Sequence, residues 1–241
     1  RKAVRDLGVT YPVALDDRFA IWGALKNQYW PAQYLADATG RIRYRSAGEG
    51  HDAETERQIR MLLAESDHRP SEGLVTGLDR VAGGAEAASS EAARSPETYI
   101  GYRRAERFSS PQPISPDVAQ TFSAPDHLEL NQWNLSGTWQ VGREAAILRT
   151  SGGRIAYRFR GRDLHLVMGP AITGHPVRFR ILIDGRAPMV DHGMDAAANG
   201  MGTVTTQRLY QLVRVKSGTG EHTFEIEFLD PGIAAYAFTF G

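Results

Sequence analysis

Residues 27–50 read NQYWPAQYLADATGRIRYRSAGEG, and this stretch decides how the first part of the chain is read. Ala32 to Ala36 follows Trp30-Pro31 as a short, mostly apolar run, and Asp37-Ala38-Thr39-Gly40 has the composition of a turn. Arg41 to Ser46 then alternates, with Ile42 and Tyr44 on one face. Two short runs around a Gly-containing turn predict a β-hairpin. Beyond Gly50, the stretch His51 to Glu65 places Ile59, Leu62 and Leu63 at helical spacing. Asp52 and Glu54 near its start suit the positive end of a helix dipole. Upstream, Arg1 to Leu7 has the pattern of a helix end, Pro12 to Leu15 that of a short strand, and Phe19 to Leu25 that of an amphipathic helix with Phe19, Ile21, Trp22 and Leu25 apolar.

The order helix, strand, helix, X-Pro, hairpin, helix resembles the C-terminal half of a thioredoxin-like redoxin of the TlpA and DipZ type. Those are thiol-disulfide proteins that face the bacterial periplasm or cell exterior. The resemblance implies a cis bond before Pro31, and it implies that Trp30 and Pro31 offer backbone to an extended substrate segment. Without the resemblance, Pro31 would open a strand in the ordinary trans form, and Trp30 would be core.

The chain contains no cysteine. A thiol redox enzyme works through a Cys-x-x-Cys pair whose thiolate attacks a disulfide, and no other side chain supplies that nucleophile. The resemblance places such a pair upstream of Arg1, so the chain is expected to be part of a longer protein and redox-inactive as it stands. It assigns no catalytic residue and no cofactor to this chain. The implied partner is a protein disulfide substrate or a membrane redox partner, in the setting of cytochrome c biogenesis, on the periplasmic or extracellular side of a bacterial membrane.

Length and charge set outer bounds. A chain of 241 residues accommodates one or two domains. Its 28 Lys and Arg balance its 28 Asp and Glu, so no global basic field attracts nucleic acid. No run approaches the roughly 18 apolar residues of a membrane span. Residues 66–95 mix glycines with an Ala, Ser and Glu stretch from Ala85 to Arg94, which reads as a linker between a thioredoxin-like part at 1–65 and a second domain at 96–241. Ala85 to Arg94 could instead form a short helix, though without a large apolar residue to dock.

From Thr98 onward the pattern is β. Ile155, Tyr157 and Phe159 alternate with Arg154, Ala156 and Arg158, and Gly161-Arg162-Asp163 leads into Leu164, Leu166 and Met168, which predicts a hairpin. Val177 to Ile183, Leu209 to Val215, Thr223 to Leu229 and Ala235 to Phe240 follow as further strands. Many short strands between Gly, Asp and Pro turns argue for a β-sandwich or jelly roll. The segments Pro96-Glu97-Thr98-Tyr99-Ile100-Gly101, Leu135-Ser136-Gly137-Thr138-Trp139 and Tyr236-Ala237-Phe238-Thr239-Phe240-Gly241 resemble the carbohydrate-binding-module-like domain that ends DipZ-type proteins.

Sugar binding would need exposed flat rings with polar groups beside them. Trp133, flanked by Asn131, Gln132 and Asn134, is the candidate ligand-binding ring, whereas Trp139 alternates with Val141 and is expected in the core. Asp184, Asp191, His192 and Asp195 form a polar group too sparse in acids for the usual calcium loop, so a solvated loop is expected there. No zinc spacing and no Gly-x-Ser-x-Gly elbow occurs. Two functions stay open: a thiol-disulfide exchange protein of the redoxin family, or a non-catalytic carbohydrate- or protein-binding module built on the β domain.

Overall fold

A computed structural model of the 241-residue chain describes residues 4–5, 8–48, 51–66, 95–216 and 220–241. The chain divides into two compact units, residues 1–87 and 88–241. Most of the expected linker lies outside the described residues.

In the first unit, helix α1 (Ala20–Ala24) precedes strands β1 (Ala32–Ala36) and β2 (Ile42–Ala47) and helix α2 (Asp52–Glu65). The Asp16 carboxylate accepts the backbone N–H groups of Ile21 and Trp22 at 3.0 and 2.8 Å, satisfying donors that a helix start leaves open. β1 and β2 pair antiparallel, with Gln33 opposite Ser46 and Leu35 opposite Tyr44. Their turn is organised by Asp37. Its carboxylate accepts from the Thr39 hydroxyl at 2.6 Å and from the Thr39 and Arg41 N–H groups. Those bonds, the Thr39 hydroxyl foremost, lower its pKa to about 2. Gly40 supplies the left-handed residue at φ +81°. The Gln33 side-chain oxygen then accepts from Thr55 at 2.8 Å and ties the hairpin to α2, and Arg43 reaches Glu65 at 2.9 Å. The expected strand at Pro12 to Leu15 is irregular backbone instead. Val13 and Leu15 are exposed there, so an apolar tetrapeptide without a neighbouring strand gains no ladder.

The second unit is an antiparallel sheet that curls on itself, with little helix. Its strands are β3 (Thr98–Tyr99), β4 (Ala119–Phe122), β5 (Trp133–Val141), β6 (Ala146–Leu148), β7 (Gly153–Arg160), β8 (Asp163–Pro170), β9 (Val177–Ile183), β10 (Met201–Val204), β11 (Arg208–Arg214), β12 (Glu221–Phe228) and β13 (Ile233–Phe240). One layer runs β10-β9-β12-β7-β5 and the other β5-β6-β13-β8-β11, with β3 added on β13 and β4 on β5. β5 belongs to both. Its Trp133–Ser136 half pairs with β7, and its Gly137–Val141 half pairs with β4 and β6. The change of partner falls at Gly137, whose φ of +91° suits glycine and whose Cβ, if present, would lie 2.9 Å from the Gly153 Cα.

The two layers face each other through aromatic rings. Tyr157 of β7 meets Phe238 and Phe240 of β13 at centroid separations of 5.1 and 5.0 Å, and Phe224 of β12 meets Phe238 at 6.1 Å. Such pairs add to the area term that dominates burial. The outward positions of β7, β9 and β12 carry charge. Glu227 lies between Arg154 and Arg180 at 3.3 and 2.7 Å, each opposite it in register. Glu221 takes Arg158 and Arg160, both from β7, with Arg160 opposite it in register.

The predicted strands at 154–159 and 164–168 are present, but they do not form a hairpin. β7 pairs with β5 and β12, while β8 pairs with β11 and β13. The chain crosses between layers at Gly161 to Asp163, because both strands have inward apolar faces and the alternation that predicts each strand does not name its partner. Asp163 is buried at this crossing. Arg162 donates to its carboxylate at 2.7 and 2.9 Å, and Arg214 Nε does so at 2.8 Å. Burial alone would raise its pKa, but the two guanidiniums outweigh it and hold the carboxyl below its ordinary value.

Trp133 corrects the expectation of an exposed ring. It is fully buried, its Nε1–H donates to the Glu106 carbonyl at 2.9 Å, and Phe108 tilts against it at 4.8 Å. The polar neighbours that suggested exposure do not decide it: Asn134 is itself buried, and the inward side of β5 takes Trp133, Leu135, Trp139 and Val141. Trp139 is buried as expected.

Two outcomes are expected from these contacts. Gly137→Ala should cost about 1–3 kcal/mol in urea unfolding, since it forces a left-handed non-glycine residue against the Gly153 backbone. Asp163→Asn should cost about 3–5 kcal/mol near neutral pH, because it leaves Arg162 and Arg214 without their buried carboxylate. A folded pKa held below the unfolded one gives stability that is present above the unfolded value, roughly 3.9, and is lost as pH falls through the folded value. The variant should therefore lose less stability than the native chain between neutral pH and acid, read as urea midpoints across a pH series.

Candidate functional site

The turn from Asn27 to Pro31 presents the largest exposed apolar ring among the described residues. Asn27 builds it from within: its side-chain amide donates to the Tyr29 carbonyl at 2.9 Å, and its side-chain oxygen accepts from the Tyr34 hydroxyl at 3.0 Å. Its own N–H donates to the Trp22 carbonyl at 3.0 Å, which anchors the turn to the end of α1. At the other side the Pro31 carbonyl accepts from the Gly48 N–H at 2.9 Å, closing the open end of the hairpin. The Trp30–Pro31 bond is cis. Trp30 is 89% exposed, so it is not core.

An indole held in water on an ordered turn forgoes the roughly 1.5–3 kcal/mol that burying a large side chain returns. Tyr29 beside it is also exposed. Among the described residues β1 pairs only with β2, so its other edge leaves main-chain N–H and C=O groups available to an extended segment. The hairpin and α2 also enclose a cleft of about 250 Å³, whose apolar lining includes Leu35, Ile59, Leu62 and Leu63. The sequence singled out Trp30 and Pro31. It did not single out Asn27 and Tyr34, although an asparagine just before a tight turn is a known signal, because its amide can copy a backbone turn.

Trp133 does not join Trp30 in any exposed surface, being sealed in the core of the second unit. The three aspartates that the sequence grouped together in the second unit are likewise committed. Asp195 accepts from Arg208 and from the Gln211 N–H, Asp191 from the Lys216 N–H, and Asp184 from His222 and the Thr223 N–H. No group of three or more metal-ligating side chains occurs among the described residues. Nor is any described helix long and apolar enough to cross a membrane.

Comparison with known proteins places these features in a wider context. Over 240 residues the chain is 28% identical to "Protein DipZ" of Mycobacterium bovis and to "Protein DipZ" of Mycobacterium tuberculosis. All of this chain is matched but only 31% of each relative, so the chain spans about a third of the length of these curated relatives. A segment of 59 residues is 34% identical to "Thiol-disulfide oxidoreductase YkuV" of Bacillus subtilis, covering 24% of this chain and 40% of that one. Among solved structures, a carbohydrate-binding module of Clostridium stercorarium in complex with cellobiose, CsCBM6-3, matches at TM-score 0.29 and 13% identity, over 61% of this chain and 93% of that one. A family two carbohydrate esterase from Cellvibrio japonicus matches at TM-score 0.34 and 12% identity, over 44% of this chain and 29% of that one. Residues 95–241, the described part of the β unit from its first buried serine to its last strand, match the family described as "Thioredoxin like C-terminal domain", and the chain belongs to that family.

Proposed function

We propose that the chain is the C-terminal part of a thiol-disulfide exchange protein of the redoxin family, acting on the periplasmic or extracellular side of a bacterial membrane. In this reading α1, β1, β2 and α2 are the C-terminal part of a thioredoxin-like domain, and the β unit is a jelly-roll sandwich appended to it. The single observation that carries the reading is Trp30, exposed on a turn that Asn27 and Tyr34 hold in shape. The similarity to thiol-disulfide oxidoreductases supports it.

The proposed task of this turn is to hold an extended segment of a protein disulfide substrate or membrane redox partner. The indole supplies apolar contact, of the kind that dominates binding hot spots. The backbone around Pro31 and the free edge of β1 supply hydrogen bonds to the main chain of that segment. The thiol chemistry belongs to cysteines that this chain does not contain.

Two measurements test the reading. The chain alone should reduce insulin disulfides no faster than a no-protein control, and turnover above that control would contradict it. An unfolded, cysteine-blocked substrate protein should bind the chain, and Trp30→Ala should weaken that binding about tenfold or more, the effect of losing one interface anchor. Equal binding by native chain and variant, measured by calorimetry, would remove Trp30 from the site.

A further inference from the structure

The opening segment of the β unit that the sequence singled out, Pro96 to Gly101, leads into a groove whose arginines form no salt bridge among the described residues. The groove has a volume of about 300 Å³ and is lined by Glu97, Tyr99, Arg103, Arg104, Glu106 and Arg107 among others. That volume is at the small end of ligand pockets and far above the roughly 30 Å³ of one water. We propose that this groove binds an anionic ligand of about monosaccharide size, through a carboxylate or phosphate group held by Arg103, Arg104 and Arg107.

The first support is the absence of carboxylate partners. Arg154, Arg158, Arg160, Arg178, Arg180 and Arg208 each contact a carboxylate. Arg103, Arg104 and Arg107 have no such contact among the described residues, although Glu97 and Glu106 line the same groove. Three guanidiniums therefore outnumber two carboxylates around one concavity. Arg104 sits over the Tyr99 ring, its guanidinium carbon 3.3 Å from the centroid. That cation–π contact holds the Arg104 side chain beside the groove, and a guanidinium carries the forked N–H donors that suit carboxylate and phosphate.

The second support is the rigidity of the loop. Tyr99 belongs to β3 and is paired with Ala237 of β13. The N–H groups of Tyr102 and Arg103 donate to the carbonyls of Gly142 and Arg143 at 3.0 and 3.2 Å. Gly101 fits between them because a Cβ would come within 2.3 Å of the Glu144 backbone. At the far end the buried Trp133 grips the loop twice, its indole N–H donating to the Glu106 carbonyl and its backbone N–H to the Arg107 carbonyl at 3.3 Å. Arg107 is held there at φ +57°, a left-handed conformation that a bulky residue seldom adopts. Such outliers persist where the surroundings over-determine them, and they cluster at functional sites. Trp133 thus acts from inside the core as the anchor of an arginine loop.

The test titrates the whole chain with galacturonate, glucose 6-phosphate and glucose, with binding read by calorimetry and by amide shifts at residues 97–107. At least one of the two anions should bind, and glucose about tenfold or more weakly, as expected when a charge-assisted bond is lost. The tighter anion identifies which group the arginines take. Arg107→Asn keeps a residue that tolerates the left-handed conformation, and it should weaken the anion about tenfold by the same reasoning. Glu97→Gln should tighten it severalfold by removing a like charge, a gain that misfolding cannot produce. Binding of glucose as tight as that of the anions, no binding of either anion at millimolar concentration, or variants that leave anion affinity unchanged would each overturn the proposal.

Discussion

The β unit depends on one strand serving two layers. β5 gives its first half to β7 and its second half to β4 and β6, and the switch is possible because Gly137 turns the backbone through a conformation that side chains disfavour. Once β5 is shared, the sheet must curl, and the rings of β7 and β12 are brought against those of β13. The inward face then closes around Trp133, Trp139, Tyr157, Phe224 and Phe238 without exposing an apolar surface between the layers. The core and the topology are consequences of the same bend.

Charge is used in two different ways around this core. On the outer face of β7, β9 and β12, arginines and glutamates sit opposite each other in register and partly neutralise one another. Exposed pairs of this kind add little stability, about 0–1 kcal/mol each. They do add specificity, since a one-residue slip would move each glutamate off its arginine and turn the apolar faces outward. Asp163 is the opposite case. It is buried where the chain passes from one layer to the other, and its two arginines come from its own neighbour and from β11, so the crossing is tied to a distant strand. The carboxylate is tolerated there only while both are in place.

The first unit contrasts with the second in how its apolar residues are spent. Helix α1 has no buried residue, Phe19 and Ile21 face water, and Trp30 is almost fully exposed. The hairpin holds together through polar contacts, with Asp37 in the turn and Gln33 bridging to Thr55. A small unit with so much uncovered apolar surface suits contact with another surface better than independence in water. That fits the substrate-holding role proposed for the Trp30 turn, in which order comes from the turn's own hydrogen bonds and affinity from the ring it displays.

Local pattern alone determined a good deal of this protein. The hairpin at 32–47, the helix at 52–65 and most strands after residue 150 follow from alternation and turn residues, because a period of two or of 3.6 is written directly into which positions must be apolar. The absence of cysteine from the chain is also read directly from the sequence. The bent strand at Gly137 was visible as a segment but not as a switch between layers. Strand partners were not legible either: β7 and β8 look like a hairpin from their spacing, yet β7 pairs with β5 and β12 and β8 with β11 and β13. Trp133 was misplaced because the polar residues beside it point elsewhere or are themselves buried, and only the packed sheet decides which side of a strand faces the core. Local periodicity specifies an element and its apolar face; what that face meets depends on residues distant in sequence, and so only the tertiary structure decides it.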